Sequence, residues 1–216
     1  MRRTQFLVPA VVLLVVLSGC VGTDALTLES SPASIPDTAL TDADYEPGES
    51  RSVVVERQLG VAGTEANVTL VGWLSSYARS DGGASVVLLS TPNPSVAGVS
   101  ANPLAGETND ELVERLLGLS NQVSGDSVGE LRRVGETERT ILGEQATVVT
   151  YEGTVKANNL SVDGSAAQSN ESVPVRFHVA TVSHGDDVVV ALAMHPADLD
   201  EQETLLSLFE RIEHEG

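Results

Sequence analysis

The sequence predicts an α+β domain: a mainly antiparallel sheet of about six to seven strands, built from hairpins, with two helices packed on one face. Three observations lead there. Apolar and polar residues alternate in paired runs that flank glycine-bearing turns. Two other segments carry apolar residues at helical spacing behind acidic openings. The links within each strand pair are too short for the crossovers that parallel strands need.

The first hairpin joins Val53–Val61 to Ala66–Leu74 around Gly63-Thr64, so that paired residue numbers sum to 127. One face then collects Val53, Val55, Leu59, Val61, Ala66, Val68, Leu70 and Leu74, interrupted only by Arg57. The other collects Glu56, Gln58, Asn67, Thr69 and Trp73, which predicts one core face and one wet face. A further strand is expected at Ala84–Ser90. The second hairpin joins Thr137–Leu142 to Gln145–Val155 and turns at Gly143-Glu144. The third turns at Gly185-Asp186, with pairs summing to 371. It gathers Val175, Phe177, Val179, Thr181, Val188, Val190, Leu192 and Met194 on one face. Arg176, His178, Ala180, Val182, Val189, Ala191, Ala193 and His195 share the other. A three-residue loop would mix the two sets, which favours the two-residue turn.

The first helix opens at Thr108-Asn109-Asp110-Glu111, the pattern of a capping box. Leu112, Val113, Leu116 and Leu117 follow at helical spacing. Asp198-Leu199-Asp200-Glu201 opens the second, whose stripe is Leu205, Leu208, Phe209 and Ile212. Plain core packing accounts for both stripes. The order is βββ–α–ββββ–α. Between strand and helix, Ser90 to Leu104 carries Pro92, Pro94, Pro103 and Gly98, the composition of a stiff connector or a binding lip. Residues 157–172, rich in Ser, Asn, Gly and Ala, break the strand pattern and are expected to be a mobile loop insertion.

Ahead of this domain stands Cys20, the chain's single cysteine. It ends the run Leu17-Ser18-Gly19-Cys20, behind Arg2-Arg3 and an apolar core of about 12 residues from Phe6 to Leu17, too short to span a bilayer. Basic start, short apolar core, small residues and cysteine together form a lipoprotein signal. The organisation follows: 1–19 a signal peptide, 20–51 a lipidated Cys20 with a flexible tether that has room for one helical turn at Pro36–Leu40, and 52–216 one α+β domain. Lipid at Cys20 predicts a cell-membrane protein on the extracytoplasmic side. The twin arginines suit a folded-chain export route, whereas Thr4 and Gln5 intervene before Phe6-Leu7 and the Val-Leu core suits the unfolded-chain route, so both stay open. With one cysteine no intrachain disulfide is available, and the fold must rest on its apolar core.

Charge narrows the setting. Asp and Glu number 31 against 12 Lys and Arg, a formal net charge of −19, and Lys156 is the one lysine. The acids are dispersed from Asp24 to Glu215, and no D-x-[DN]-x-[DN]-G calcium loop occurs. A dispersed, lysine-poor acidic surface fits solubility in high salt, where screening confines repulsion to a few ångströms. Nucleic acid is disfavoured as a partner because phosphate binding needs a basic footprint.

Motifs that carry chemistry are sparse. The third hairpin's register sets His178 and His195 on one face as diagonal neighbours, with Arg176 opposite His195. Arg176, His178 and His195 form a weak polar-cluster candidate. A metal site needs three or four converging ligands, so no metal is assigned, and exposed strand histidines explain the pair better. No G-x-S-x-G, G-x-G-x-x-G, P-loop, H-E-x-x-H or C-x-x-C motif occurs, and Cys20 is committed to lipid. Hence no catalytic residue, no cofactor and no enzyme activity is assigned. Three N-x-S/T triplets make Asn67, Asn159 and Asn170 candidate N-glycosylation acceptors in an exported chain, although such triplets are common in Ser/Thr-rich sequences.

The order of several short motifs resembles a family of uncharacterised haloarchaeal lipoproteins. These are Leu17-Ser18-Gly19-Cys20, Ser90-Thr91-Pro92, Asn102-Pro103-Leu104, Arg133-Val134-Gly135, Leu142-Gly143-Glu144 and His184-Gly185-Asp186-Asp187, with Pro196 beyond. The resemblance covers nearly the full chain, although the 157–172 segment is longer than the pattern. It implies a halophilic archaeal source and surface anchoring, and it carries no activity. The expected role is therefore a binding or accessory module at the outer face of a halophile's membrane, held through Cys20 and meeting an envelope protein. A small-solute-binding lipoprotein is the alternative, and a hydrolase ranks behind it.

Overall fold

The computed structural model describes residues 26–61, 64–96, 99–100, 102, 104, 106–115, 129, 131–156, 161–162, 165–166 and 172–216. The chain enters through a short strand, β1 (Leu26–Glu29), and a helix, α1 (Asp37–Ala43). Two long strands follow, β2 (Tyr45–Val61) and β3 (Thr64–Arg79), then β4 (Ser85–Pro92) and the small pair β5 (Ser95–Val96) and β6 (Val99–Ser100). Helix α2 is described over 109–115. The second half holds β7 (Arg132–Ile141), β8 (Glu144–Lys156), the two-residue strands β9 (Ser161–Val162) and β10 (Ser165–Ala166), β11 (Ser172–His184), β12 (Asp187–Pro196) and the closing helix α3 (Gln202–Glu210).

One eight-stranded sheet carries the fold. Its order is β2-β3-β4-β12-β11-β8-β7, with β1 running parallel to β3 over Leu26–Glu29 on the flank that β4 takes further along. All other pairings in it are antiparallel. The class is α+β with a mixed, mostly antiparallel sheet, as the hairpin pattern predicts.

The helices are distributed differently from the expectation that they share one face. Helices α1 and α3 cover one face, with Leu40, Leu205, Leu206, Phe209 and Ile212 packed on Val86, Leu88, Val148, Val182 and Val189. The start of α2 lies on the opposite face, where Leu112 and Val113 meet Val149, Tyr151, Val175, Phe177 and Val179. The reason lies in the central strands. Both residue sets of the β11–β12 hairpin are mainly apolar, so each face needs its own cover. The capping box forms as the sequence implies: Thr108 N donates to Glu111 Oε2 at 2.8 Å and Glu111 N to Thr108 Oγ1 at 3.3 Å.

Of the three hairpin registers, the third is as expected, with Arg176 opposite His195 and His184 opposite Asp187. The other two turn one residue earlier. Val61 pairs Thr64, and Ile141 pairs Glu144, which makes Leu142-Gly143 the second turn. Leu142 and Gly143 have φ of 53° and 81°, both positive, as a type I′ turn requires with glycine second. Gly185 comes first in its turn with φ of 58° and Asp186 has no positive φ, the type II′ arrangement. The sequence alone gives glycine the first place in all three turns. Each slip moves the partner by two residues, one full pleat, so the two faces keep their membership.

The expected flexible tether at 20–51 is corrected over its described part. Residues 26–51 contribute β1, α1 and the start of β2 to the domain. Ile35 N donates to Tyr77 Oη at 3.0 Å, and Ser34 pairs with Glu213 in an isolated bridge. Because this segment covers one end of β3, Ser75 and Tyr77 are buried although they share a face with exposed Asn67. Within 157–172 the described residues form the β9–β10 pair and the first residue of β11; whether the remainder is mobile lies outside the described residues.

Phe209 is fully buried between α1, α3 and the sheet. Phe209→Ala is expected to lower unfolding free energy by about 3–5 kcal/mol. Denaturant unfolding in molar salt measures this, and a loss below about 1 kcal/mol would mean that α3 does not close the core.

Candidate functional site

His178 and His195 stand on adjacent central strands, on the sheet face that α1 and α3 cover. They are not exposed: their relative accessibilities are 0 % and 1 %. The exposed-histidine expectation fails because β11 and β12 have neighbours on both sides and cover on both faces. The pair itself is where the register places it. Nε2 of His178 lies 3.1 Å from Nε2 of His195. The ring planes differ by 6° and the centroids are 5.2 Å apart. That separation exceeds the N–N distance by about two ring radii, so the rings meet end to end through their nitrogens rather than face to face.

The partners fix every proton. His195 Nδ1 lies 2.8 Å from the carbonyl oxygen of Pro196, which only accepts, so Nδ1 carries hydrogen and donates. In the neutral ring Nε2 of His195 is then an acceptor. His178 Nε2 must supply the hydrogen between the rings, which leaves its Nδ1 to accept from Thr150 Oγ1 at 3.0 Å. The result is a one-directional chain from Thr150 through His178 and His195 to the Pro196 carbonyl, satisfied with both imidazoles neutral.

Burial sets their basicity. Desolvation, then the neighbouring His195 and Arg176, pushes His178 from the ordinary 6.5 down to about 4. His195 is also lowered, chiefly by burial, while its bond to Pro196 opposes the shift. Among the described residues no carboxylate hydrogen-bonds to either ring, and burial outweighs the charge of Asp200 near His195, so Thr150 faces a weak base.

At the solvent side of the pair lies Arg176, half-buried, which donates from Nε and Nη2 to Glu152 Oε1 at 3.2 Å. Exposed Arg132 donates to the other oxygen, Oε2, at 3.0 Å. Beside this Arg–Glu–Arg group opens a cleft of about 570 Å³ lined by Leu131, Arg132, Glu152, Thr154, Pro174 and Ala197. Sequence reasoning reached Arg176, His178 and His195 and missed Thr150, Glu152 and Arg132. Thr150 faces His178 across the β8–β11 ladder, and Glu152 faces Arg176, so pairing those two strands from the sequence would have found both.

A second histidine group was not expected. His214 Nε2 lies 3.1 Å from Asp187 Oδ2 and 3.1 Å from the Ser31 carbonyl, with both side chains buried. His184 contacts it edge-on. Burial raises the Asp187 carboxyl, partly offset by the Ser31 N–H and by His214. This joins the segment after β1 and the chain end to the β11–β12 turn. Among the described residues no group of three or more His, Cys, Asp or Glu converges on a metal-sized space. Of the remaining sequence candidates, Asn67 lies exposed on β3, while Cys20, Asn159 and Asn170 lie outside the described residues.

With this geometry in place, the relationships can be stated. Residues 32–213 match the model of the domain of unknown function DUF6517. The chain belongs to that family. No curated protein matches it. The DUF6517 match runs from just before α1 to the bridge residue Glu213, and so takes in both histidine pairs except His214 itself.

The histidine chain makes this DUF6517 domain acid-sensitive in a defined window. A group whose folded pKa lies below its unfolded value keeps the folded state fully stable above the unfolded value. The contribution of His178 to stability is thus complete above pH 6.5 and is lost as pH drops from 6.5 toward about 4, its value in the folded state. His195→Leu leaves the His178 Nε2–H without an acceptor and should cost about 1–3 kcal/mol at neutral pH. His178→Leu/His195→Leu should cost less than the two single changes together and flatten the acid slope. Unfolding curves at pH 5 and pH 8 measure both, and an unchanged slope in the double variant would assign the acid loss to other groups.

Proposed function

We propose that this DUF6517 protein is a lipid-anchored, extracytoplasmic binding or accessory module at the outer face of a halophile's cell membrane. The observation that carries the proposal is Cys20, the single cysteine, at the end of Leu17-Ser18-Gly19-Cys20 behind a short apolar core and Arg2-Arg3. The net charge of −19 with one lysine supports the saline setting. Six peptide steps separate Cys20 from Leu26, where β1 begins, so the anchor stands at most about 22 Å from the sheet. Such a short arm favours a partner held at the membrane surface over one reached across a long tether.

The cleft beside Arg132, Glu152 and Arg176 supports a second reading, a lipoprotein that binds small solutes. Its walls combine apolar Leu131, Pro174 and Ala197 with charged Arg132 and Glu152, the mixture that orients a small polar ligand. Exposed Asn67, with Asn159 and Asn170, supports N-glycosylation, which the intact mass of the native protein tests.

Cys20→Ser in a haloarchaeal host tests the anchor. The parent chain is expected in the membrane fraction with a lipid mass increment, and the variant in the aqueous phase or as uncleaved precursor. Equal membrane partitioning of both, without a lipid adduct on the parent, would reject lipid anchoring. Purification of the parent in high salt then separates the two roles: a retained envelope protein supports the module, and a bound solute supports the second reading.

A further inference from the structure

Most ion-paired arginines in this domain are matched or outnumbered by acids. Among the described residues, Arg79 meets Asp81 and Glu201, Arg133 meets Asp110 and Glu136, Arg139 meets Glu203 and Glu210, and Arg115 meets Glu107. Beside the 570 Å³ cleft the balance reverses, because Arg132 and Arg176 share the single carboxylate of Glu152. A chain with a net charge of −19 thus holds a local positive surplus next to an open cleft.

The surplus belongs to Arg132, which lines the cleft. Arg176 takes Glu152 Oε1 through two groups, Nε and Nη2, both at 3.2 Å. Arg132 reaches Oε2 through Nη2 alone, at 3.0 Å, and its side chain is 74 % exposed. Its remaining N–H groups have no protein partner among the described residues. A guanidinium with N–H groups to spare accepts a carboxylate through two parallel hydrogen bonds. The walls on either side are held in place. Ala197 N donates to the Pro174 carbonyl at 2.9 Å, and Gly129 N to the Thr154 carbonyl at 2.7 Å, where the Thr154 hydroxyl leaves no room for a Cβ on residue 129. Leu131, Pro174 and Ala197 add apolar surface, which stabilises the carbon skeleton of an organic anion and does nothing for an inorganic one.

We propose, building on the small-solute reading of this cleft, that it binds a small organic carboxylate, with the carboxylate on Arg132 and the apolar body against Leu131, Pro174 and Ala197. Glu152 is the internal competitor. Arg176 holds it in place, and the ligand draws on the part of Arg132 that Glu152 leaves unused. Molar salt screens attraction beyond a few ångströms, so recognition falls to short bidentate contact and apolar burial, neither of which chloride supplies.

Amide chemical-shift titration of the full-length chain, in molar salt and non-ionic detergent, tests this with butyrate, butyramide, butylammonium and inorganic phosphate as probes. Butyrate is expected to give saturable shifts at Gly153, Val175 and Ala197, which line the cleft. The neutral, similarly shaped butyramide should bind at least tenfold more weakly. Arg132→Gln should weaken butyrate at least tenfold. Arg51→Gln, which takes the same charge from an exposed arginine of β2, should leave it unchanged. Glu152→Gln removes the competing carboxylate and should tighten butyrate several-fold; weaker binding there overturns its role as competitor. Butyramide, butylammonium or phosphate binding as tightly as butyrate, or undiminished butyrate binding by Arg132→Gln, overturns the carboxylate assignment and leaves the cleft a solute site of another class. No saturable shift with any of the four probes, up to the concentration of the salt, overturns the small-solute reading as well.

Discussion

Burial of the β11–β12 hairpin on both faces is the constraint on which the rest of this domain depends. These two strands occupy the middle of the sheet, with β4 on one flank and β8 on the other. Ten of their 23 residues are Val or Ala, too small to fill a layer alone. Leu205, Leu206 and Phe209 from α3 fill one side, and Leu112 and Val113 from α2 the other. A chain with one cysteine and 3 % aromatic residues has few other sources of stability, so cohesion falls to this three-layer arrangement.

The same constraint governs the polar groups inside. A histidine between covered strands cannot take its hydrogen bonds from water, so His178 and His195 take them from each other and pass the ends to Thr150 and the Pro196 carbonyl. Deep in one layer, charge is kept out. Where carboxylates do enter, partners accompany them: Glu201 receives Arg79 Nη1 and Tyr45 Oη, both at 3.1 Å, and Asp187 receives His214 and the Ser31 N–H. Among the described residues the other acids are exposed or half-buried. This division lets a strongly acidic chain hold a neutral core.

Much of the architecture was legible in the residues. Alternation in Val175–Met194 set the third hairpin to the residue, because a two-residue loop is the one choice that keeps its two faces distinct. Thr108 and Glu111 announced the start of α2, and the Leu205–Ile212 stripe announced α3. Less legible were matters that no local pattern encodes. The order of glycine within a turn depends on whether type I′ or II′ matches the strand twist, so two turns slid by one residue. Residues 26–51 look like a linker because their proline and polar content hides contacts made across the fold, such as Ile35 to Tyr77 and Ser34 to Glu213. At the candidate site, the pairing of His178 with His195 was visible in the hairpin, while Thr150, Glu152 and Arg132 arrive from strands about 20 to 45 residues upstream.

The sequence by itself determined the class of fold, the faces of its strands, the single-cysteine chemistry and the acidic character, because all of these follow from periodicity and composition. Only the tertiary structure decided that the helices divide between two faces and that the histidines are interior, neutral and wired to one another. The physical reason is that burial belongs to the sheet and not to the strand. Whether His178 faces water or protein depends on what β4, β8 and α3 bring to its neighbourhood, and none of that is written in the alternation of β11.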